Sequence, residues 1–425
     1  MKLELAKGVK DVDPKDQIIR EKLLDILKKV FVRYGFNPLD TPILERMSLF
    51  EMKGGGGSEI QKEIFRLKDQ GDRDLGLRFD LTVPFARYVG MNPTLKLPFK
   101  RYQIGKVFRD GPIKLGRYRE FYQCDVDIVG CKEMISDAEI LSLVKDVFNT
   151  LKLDVNIYVN NRKILDGILE YIKITDDKKI SVIISLDKLE KVGQSDVERE
   201  LMELGLSMDM IDGLFNLVKL SGSNEEKIKF LQGYLGGNQG LIEIEELIGY
   251  ASFVIFDPCL ARGLDYYTGT VYETFLKGNE LKSSLAAGGR YDNMVGDFTG
   301  KEEEYPAMGV SFGLDIITDA LKLLGKVEEK LSVVELYVIP INTIKECFII
   351  CERLRGEGLN VDMDLVKRGI SKNLDYADKY KIPFVIIIGK QELGLNKYKL
   401  KNMETGSEEL LSFEEIIKKV KNARS

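Results

Sequence analysis

The tightest constraint on the fold comes from residues 100–130. Two runs there, 100–109 and 119–130, are rich in strand-forming residues and flank the loop DGPIKLGR. That pattern predicts an antiparallel hairpin. Side chains alternate between the two faces of a strand. Phe121, Gln123, Asp125 and Asp127 therefore share one face, and Tyr122, Cys124, Val126 and Ile128 share the other. Arg109 falls at the strand end, just before the loop. Residues 76–89, GLRFDLTVPFARYV, read as a strand that stops at Pro84, with Asp80 and Thr82 on one face. The stretch ARGLDYYTGTVYE at 261–273 also reads as a strand, with Gly263 and Gly269 leaving room for a bulge or close backbone approach. AAGGRYD at 286–292 adds a double glycine, an arginine and a tyrosine. Each piece alone fits a solvated face or a surface ion pair. Together they describe a site for an amine-bearing ligand beside a phosphate or carboxylate.

Around this centre the periodicity changes. Residues 13–34 predict an amphipathic helix capped by Asp13, started by Pro14 and ended by Gly35, with Ile19, Leu23, Leu27, Val30 and Phe31 on one face. The four glycines of MKGGGGSEIQKE hold neither helix nor strand, which leaves a floppy loop or one that closes over a ligand. Ser136 and Glu139 have capping-box spacing for a helix over ISDAEILSLVKDVFNTL. From about 165 to 245 the chain turns charged and helix-forming, as a separate insertion would. Strands return over 250–320, and GKVEEKL reads as a linker. After about 331, strand, helix, strand, helix and strand alternate, which implies a small α/β domain with a largely parallel sheet.

Composition removes several classes of function. The net charge of -5 argues against nonspecific coating of nucleic acid, though a local basic patch stays open. No apolar run approaches the length that spans a bilayer, and the N-terminus has no apolar signal core, so a cytoplasmic protein is expected. The cysteines, Cys124, Cys131, Cys259, Cys347 and Cys351, form no C-x-x-C pair and read as reduced thiols, with no zinc site. The chain contains no histidine. It therefore has no imidazole base, no Ser–His or Cys–His pair and no histidine metal ligand. Its own pH response near neutrality should be flat, apart from shifted thiols, the α-amino group and unusual carboxylates. Catalysis, if any, rests on positioning and fixed charge.

KVFRDGPIKLGRYREFYQCDVDIVG resembles motif 2 of class II aminoacyl-tRNA synthetases, AMGVSFGLDII their motif 3, and YGFNPLDTPILE their dimer-building motif 1. RGLDYYTGTVYE and AAGGRYD resemble the two signature peptides of histidyl-tRNA synthetases, and LRFDLTVPFARY fits their archaeal and eukaryotic branch. The resemblance implies an α+β catalytic domain, with an antiparallel sheet flanked by helices, over 1–165 and 246–325. It implies a helical insertion at 166–245 and a C-terminal α/β anticodon-binding domain at 331–425. The implied activity is ligation of L-histidine to tRNA(His) through a histidyl-adenylate, with ATP as substrate, Mg2+ on its phosphates and a homodimeric assembly.

The same resemblance implies the site. Asp80, Thr82 and Gln123 would hold the α-ammonium of histidine. Asp127 and Tyr267 would bond the two ring nitrogens, with Tyr291 packed on the ring and Tyr266 beside it. Arg109 and Arg262 would be catalytic, gripping the α-phosphate and bridging it to the carboxylate. Arg117 would add an ATP contact, and Gly288 and Gly289 would let the backbone approach the ligands. On the C-terminal domain, Lys367, Arg368, Lys372 and Lys379 could offer phosphate contacts, with Asn373 and Tyr376 for exposed bases. One position departs from the pattern. Ile316 stands where motif 3 usually carries an arginine for ATP. That departure keeps open a non-catalytic paralogue, such as the regulatory subunit of ATP phosphoribosyltransferase.

Overall fold

The computed structural model describes residues 2–52, 57–113, 118–262, 266–278, 281, 283–300, 305–327 and 330–423, apart from the side chains of 57–59 and 190–191. The chain falls into two compact units: residues 1–10 with 23–324, and residues 11–22 with 325–425.

Helix α1 (Pro14–Arg33) has proline at its first position, where the missing N–H is no loss. The Asp13 carbonyl accepts from the Asp16 and Gln17 N–H groups. The helix ends where Gly35 takes φ 78° and the Phe36 N–H returns to the Phe31 carbonyl. All five apolar residues expected on one face are buried. Then follow β1 (Asn37–Pro38), β2 (Leu44–Arg46), α2 (Met47–Glu51), α3 (Gly57–Lys62), β3 (Arg66–Lys68), β4 (Asp74–Leu77), α4 (Thr82–Met91), β5 (Phe99–Phe108), β6 (Glu120–Val129), α5 (Ile135–Thr150) and β7 (Val155–Asn161). Helices fill 162–250: α6 (Arg162–Tyr171), α7 (Asp176–Asp187), α8 (Leu189–Val192), α9 (Gln194–Glu203), α10 (Met208–Val218), α11 (Asn224–Leu235) and α12 (Gln239–Tyr250). Side chains of Asn161, Ser207, Ser223 and Asn238 cap α6, α10, α11 and α12. The unit closes with β8 (Ile255–Phe256), β9 (Thr270–Leu276), β10 (Ala286–Arg290), α13 (Met294–Thr299), β11 (Ala307–Gly313) and α14 (Leu314–Leu323).

Among the described residues, eight strands form one sheet in the order β1-β5-β6-β11-β10-β9-β7-β8. Every inner pair is antiparallel, and the two-residue edge strands β1 and β8 join in parallel. One face is covered by helices. Helix α5 packs on β10 and β11, and α14 packs on β6 and β11. The Phe312 ring lies 5.6 Å from that of Phe31 and 6.0 Å from that of Phe148. Cys124, Val126 and Ile128 are buried on this side, so the expected alternation of β6 holds. The opposite face carries the polar residues.

Three local expectations are corrected. The strand expected over 76–89 ends at Leu77, and Thr82 already opens α4. Pro84 sits in the first turn of that helix, where proline is tolerated, so Asp80 lies in a turn and shares no strand face with Thr82. The strand expected over 261–273 begins only at Thr270. Ser136 does not cap α5. Its hydroxyl donates to the Glu133 carbonyl at 2.6 Å, and Glu139 is drawn away to Lys100 at 2.6 Å. Gly54, Gly55 and Gly56 of the glycine run lie outside the described residues, and its last glycine, Gly57, starts α3.

The second unit carries β12 (Leu336–Pro340), α15 (Ile344–Gly356), β13 (Val361–Met363), α16 (Ile370–Lys379), β14 (Phe384–Ile388), α17 (Lys390–Leu395), β15 (Tyr398–Asn402), β16 (Glu408–Leu411) and α18 (Phe413–Asn422). Its sheet runs β13-β12-β14-β15-β16. The first three strands are parallel, as the alternation predicts, and β15 and β16 extend the sheet antiparallel.

Candidate active site

Strand register builds the floor. Arg101 on β5 pairs with Asp127 on β6, which pairs with Gly309 on β11. One step along, Gln103, Asp125 and Ser311 form a second row, continued by Ala287 on β10 and Glu273 on β9. A third row holds Gly105, Gln123 and Gly313. Directly paired residues project to the same face, so Asp127, Asp125, Gln123, Ser311 and Glu273 all look out of one side of the sheet. Gly309 has no side chain for a physical reason. A Cβ there would stand 2.0 Å from Asp127 Oδ1. The Asp127 carboxylate is 2% exposed and accepts from the Tyr291 hydroxyl. Arg101 Nη2 lies 2.7 Å from Asp127 Oδ2 while donating to the Leu81 carbonyl at 2.9 Å, so the two charges pair without a directed hydrogen bond.

Arg101 on β5 and Arg109 just past its end pin the Asp80 turn. Arg109 Nε donates to the Phe79 carbonyl at 3.1 Å, and Arg101 holds the Leu81 carbonyl. Asp80 sits between them. Its Oδ1 accepts from the Val83 N–H at 3.1 Å and so satisfies an orphan donor of α4, whereas its Oδ2 is buried with no partner among the described residues. Thr82 is the first residue of α4, beside this turn. Gln123 donates to Ser311 Oγ at 3.0 Å, and its Oε1 is also buried without a partner. The Arg109 guanidinium lies 5.2 Å from the centre of the Phe121 ring.

Tyrosines form a wall. The Tyr266 ring lies 4.8 Å from Tyr267 and 6.3 Å, edge-on, from Tyr291. Arg262 contacts Glu273 through Nη1 and Tyr267 through a side-chain hydrogen bond, and its Nε is buried with no partner among the described residues. Arg262 and Tyr267 have opposite parity on a regular strand. The conflict disappears because both precede β9, with a turn at Tyr266; Gly263 itself lies outside the described residues. The two glycines of AAGGRYD serve packing. Gly288 faces the helix-covered side, paired with Tyr272, whose hydroxyl crosses it to donate to the Gly309 carbonyl at 2.8 Å. A Cβ on Gly288 would lie 2.0 Å from that carbonyl oxygen, and one on Gly289 2.9 Å from the Tyr267 ring. A neighbouring strand thus occupies the space that a side chain at Gly288 would need.

Burial sets the protonation states. It pushes Asp80 up to about 6, against the Val83 N–H and the Arg109 and Arg101 charges. It pushes Asp125 up to about 7, with Arg101 opposing and Asp127 reinforcing the shift. Asp127 is raised by burial and held back by Arg101 and Tyr291. For Arg262, burial works against the charge, but Tyr267 and Glu273 outweigh it and hold the guanidinium above its ordinary value.

Asp80, Arg109, Gln123, Asp127, Tyr266, Tyr267 and Tyr291 thus surround one polar face, with Arg262 joined to it through Tyr267 and Glu273. Arg117 lies outside the described residues. Sequence reading missed Arg101, Glu273, Ser311 and Gly309. Arg101 had a signal, since it shares strand parity with Arg109 and faces the acidic strand of the hairpin.

Comparison with known proteins shows the family. A histidyl-tRNA synthetase family model matches residues 8–317, and an anticodon binding domain model matches 335–423. The chain belongs to the histidyl-tRNA synthetase family. It is 46% identical over 419 residues to histidine--tRNA ligase 1 of Bacillus cereus, covering 96% of this chain and 97% of that protein. It is 41% identical to histidine--tRNA ligase of Clostridium tetani, covering 100% of this chain and 99% of that protein. The crystal structure of histidyl-tRNA synthetase from Nostoc superposes with a TM-score of 0.86 at 31% identity, each chain covered in full.

One of the expectations tied to the family stands and one changes on the structure. Ile316 stands in the first turn of α14, where its side chain lies over Gly313. In the second unit, Asn373 is 0% exposed. It accepts from the Tyr337 hydroxyl and donates to Asp364 and the Arg368 carbonyl, so it braces the loop before α16 and offers nothing to a base. Arg368 stacks on the half-buried Tyr376. Lys367, Lys372 and Lys379 are exposed.

Proposed function

We propose that this chain joins L-histidine to tRNA(His) in two steps driven by ATP. The observation that carries the reading is a pair of buried acceptors with no partner among the described residues, Asp80 Oδ2 and Gln123 Oε1, at the polar face that carries the buried Asp127. Leaving such acceptors empty is costly, and an α-ammonium with three donors satisfies them. Thr82, at the head of α4, adds a hydroxyl. Asp127 would accept from one ring nitrogen and Tyr267 would bond the other. Tyr291, held against Asp127, would pack on the ring with Tyr266 behind it.

The histidine carboxylate attacks the α-phosphorus of ATP. A new P–O bond forms, the α–β bridge breaks and pyrophosphate leaves. Arg109 and Arg262 would bear the charge that develops, and Glu273 holds Arg262 in place for that task. A terminal ribose hydroxyl of the tRNA then attacks the adenylate carbonyl and releases AMP. No protein imidazole is needed in either step. Arg117 would add an ATP contact, and Gly289 would leave room for the Tyr267 ring. Among the described residues no group of three or more Cys, Asp or Glu could hold a metal ion. Mg2+ would therefore arrive on the ATP phosphates, and none of the steps above is routed through it. Residues 331–425 would bind the anticodon, with 166–245 as an insertion in the catalytic domain. The segment around Pro42 would help build a homodimer. Among the described residues no helix is long and apolar enough to cross a membrane, which fits a cytoplasmic site of action.

ATP–pyrophosphate exchange measured with each amino acid in turn tests the reading. Exchange should require histidine. Silence with all amino acids would favour a non-catalytic paralogue, the reading that Ile316 keeps in view.

A further inference from the structure

Thr268 before β9 is tied to Arg290, the last residue of β10, and to Asp292 after it by a largely buried polar network that the chemistry above does not use. Arg290 leaves β10 on the helix-covered face and is 3% exposed. Its guanidinium contacts Asp137 in the first turn of α5 and Ser136 Oγ at 3.4 Å. It also donates to the Cys131 carbonyl at 3.2 Å and to Asp292 Oδ1 at 3.3 Å. Asp292 Oδ1 accepts from the Ala307 N–H at 3.0 Å. Its Oδ2 accepts from the Thr268 hydroxyl at 3.1 Å, and its own N–H donates back to that hydroxyl at 3.0 Å. The Thr268 N–H donates to the Arg290 carbonyl at 2.9 Å. Gly269 clears the way: a Cβ there would lie 3.0 Å from Arg290 Cδ.

Two tyrosines of the site are chained to this network. Tyr267 directly precedes Thr268, and Tyr291 stands between Arg290 and Asp292. We propose that Thr268, Asp292 and Arg290, anchored on Asp137, are positioning residues that set the Tyr267 and Tyr291 rings for histidine recognition. The chain of contacts runs from α5 through Arg290 to Asp292, and from there to the turn that carries Tyr266 and Tyr267. None of these groups needs to touch the substrate. Their effect is on where the ring-binding hydroxyls stand, and a displacement of about 1 Å at such a site costs up to ~100-fold.

This inference rests on the proposed function for its kinetic readout, and a second measurement keeps the two apart. Thr268→Val keeps the shape and removes the hydroxyl, while the Arg290–Asp137 pair stays intact. In ATP–pyrophosphate exchange the variant should raise the KM for histidine about 10- to 100-fold, leave the KM for ATP near its original value and melt close to the parent. Thr268→Ser restores the hydroxyl and should restore the histidine KM. A purely structural role would instead lower the melting temperature and shift both KM values together, or lower only the active fraction; either result overturns the proposal. A crystal structure of Thr268→Val reads the same claim without activity. Displaced Tyr267 and Tyr291 rings support it, and unmoved rings overturn it even if exchange has changed. A parent chain silent in exchange would refute the functional reading alone.

Discussion

The floor of the catalytic sheet and the α16 surface of the second unit both offer charged residues for binding, under opposite conditions. Arg101, Asp125 and Asp127 are 0%, 3% and 2% exposed, whereas Lys367, Lys372 and Lys379 stand in solvent. A buried charge must be matched in geometry by its neighbours. The register supplies that match: Arg101 opposite Asp127, a glycine where a Cβ would strike the carboxylate, Ser311 beside Gln123. An exposed lysine needs no match and keeps its freedom. Such a floor suits a single ligand held in fixed geometry, whereas exposed lysines suit only loose contacts with anions. Each prediction below presses on one side of this contrast.

The largest effect should come from Arg101→Met, which strands the Asp127 carboxylate in the interior. Removing one partner of a buried ion pair costs about 3–5 kcal/mol. Denaturant unfolding should show a loss of that size, and histidine-dependent exchange should collapse. If stability were unchanged, the floor would not depend on the pairing that its register creates. Asp127→Asn keeps the volume and tests recognition instead. A site that bonds both ring nitrogens rejects ligands lacking them by about 10⁴. The variant should lose much of the preference for histidine over ring analogues while remaining folded by circular dichroism. Retained selectivity would remove Asp127 from the ring.

The pH response sharpens the same side. Absence of histidine leaves a flat profile near neutrality except where carboxylates are unusually shifted, and the floor carries such carboxylates. Asp125 titrates at about 7 in the folded chain against an ordinary 3.8. Its folded value is raised, so the folded state holds the proton more tightly. No penalty exists below pH ~3.8. The penalty grows from there to about 7 and is complete above it. Stability should therefore fall as pH rises from 5 to 8. Asp125→Asn should remove part of that slope, on the order of 2 kcal/mol. Asp80 and Asp127 are coupled to Asp125, so the change in slope reports the coupled group. Parallel stability curves for parent and variant would place Asp125 outside the titration.

How much of this was legible in the sequence follows from the same contrast. The hairpin and its two faces could be read because period-2 alternation carries through ten paired residues. The C-terminal alternation of strands and helices likewise survived. What failed was local competition. Leu81 to Pro84 satisfies both a strand and a helix start, and tertiary contacts from Arg101 and Arg109 decide for the turn. Ser136 and Glu139 have capping-box spacing, but Glu133 and Lys100 take their side chains. Gly309 acts only through strand pairing, which no single segment reveals. Asn373 looked like a base reader because asparagine is polar, and only the fold shows it sealed beneath Tyr337 and Asp364.

The smallest effect belongs to the exposed side. Asn373→Ala removes the brace on Asp364 and the Arg368 carbonyl, so it should lower the stability of the second unit by about 1–3 kcal/mol. Lys372→Gln, on the same helix, removes one exposed charge and should leave melting unchanged. If α16 meets tRNA phosphates, this change weakens charging a few-fold and lowers the salt dependence of tRNA binding by about one unit of slope, uniformly across tRNA sequences. Histidine-dependent pyrophosphate exchange should be untouched, since that step needs no tRNA. The measurement is the KM for tRNA at two or more salt concentrations, beside exchange rates on the same preparation. An unchanged salt slope would make the helix a solvated face and move the anticodon contact elsewhere on the unit. Equal losses in exchange and charging would break the division of labour between a rigid floor for the amino acid and a loose cationic surface for the nucleic acid.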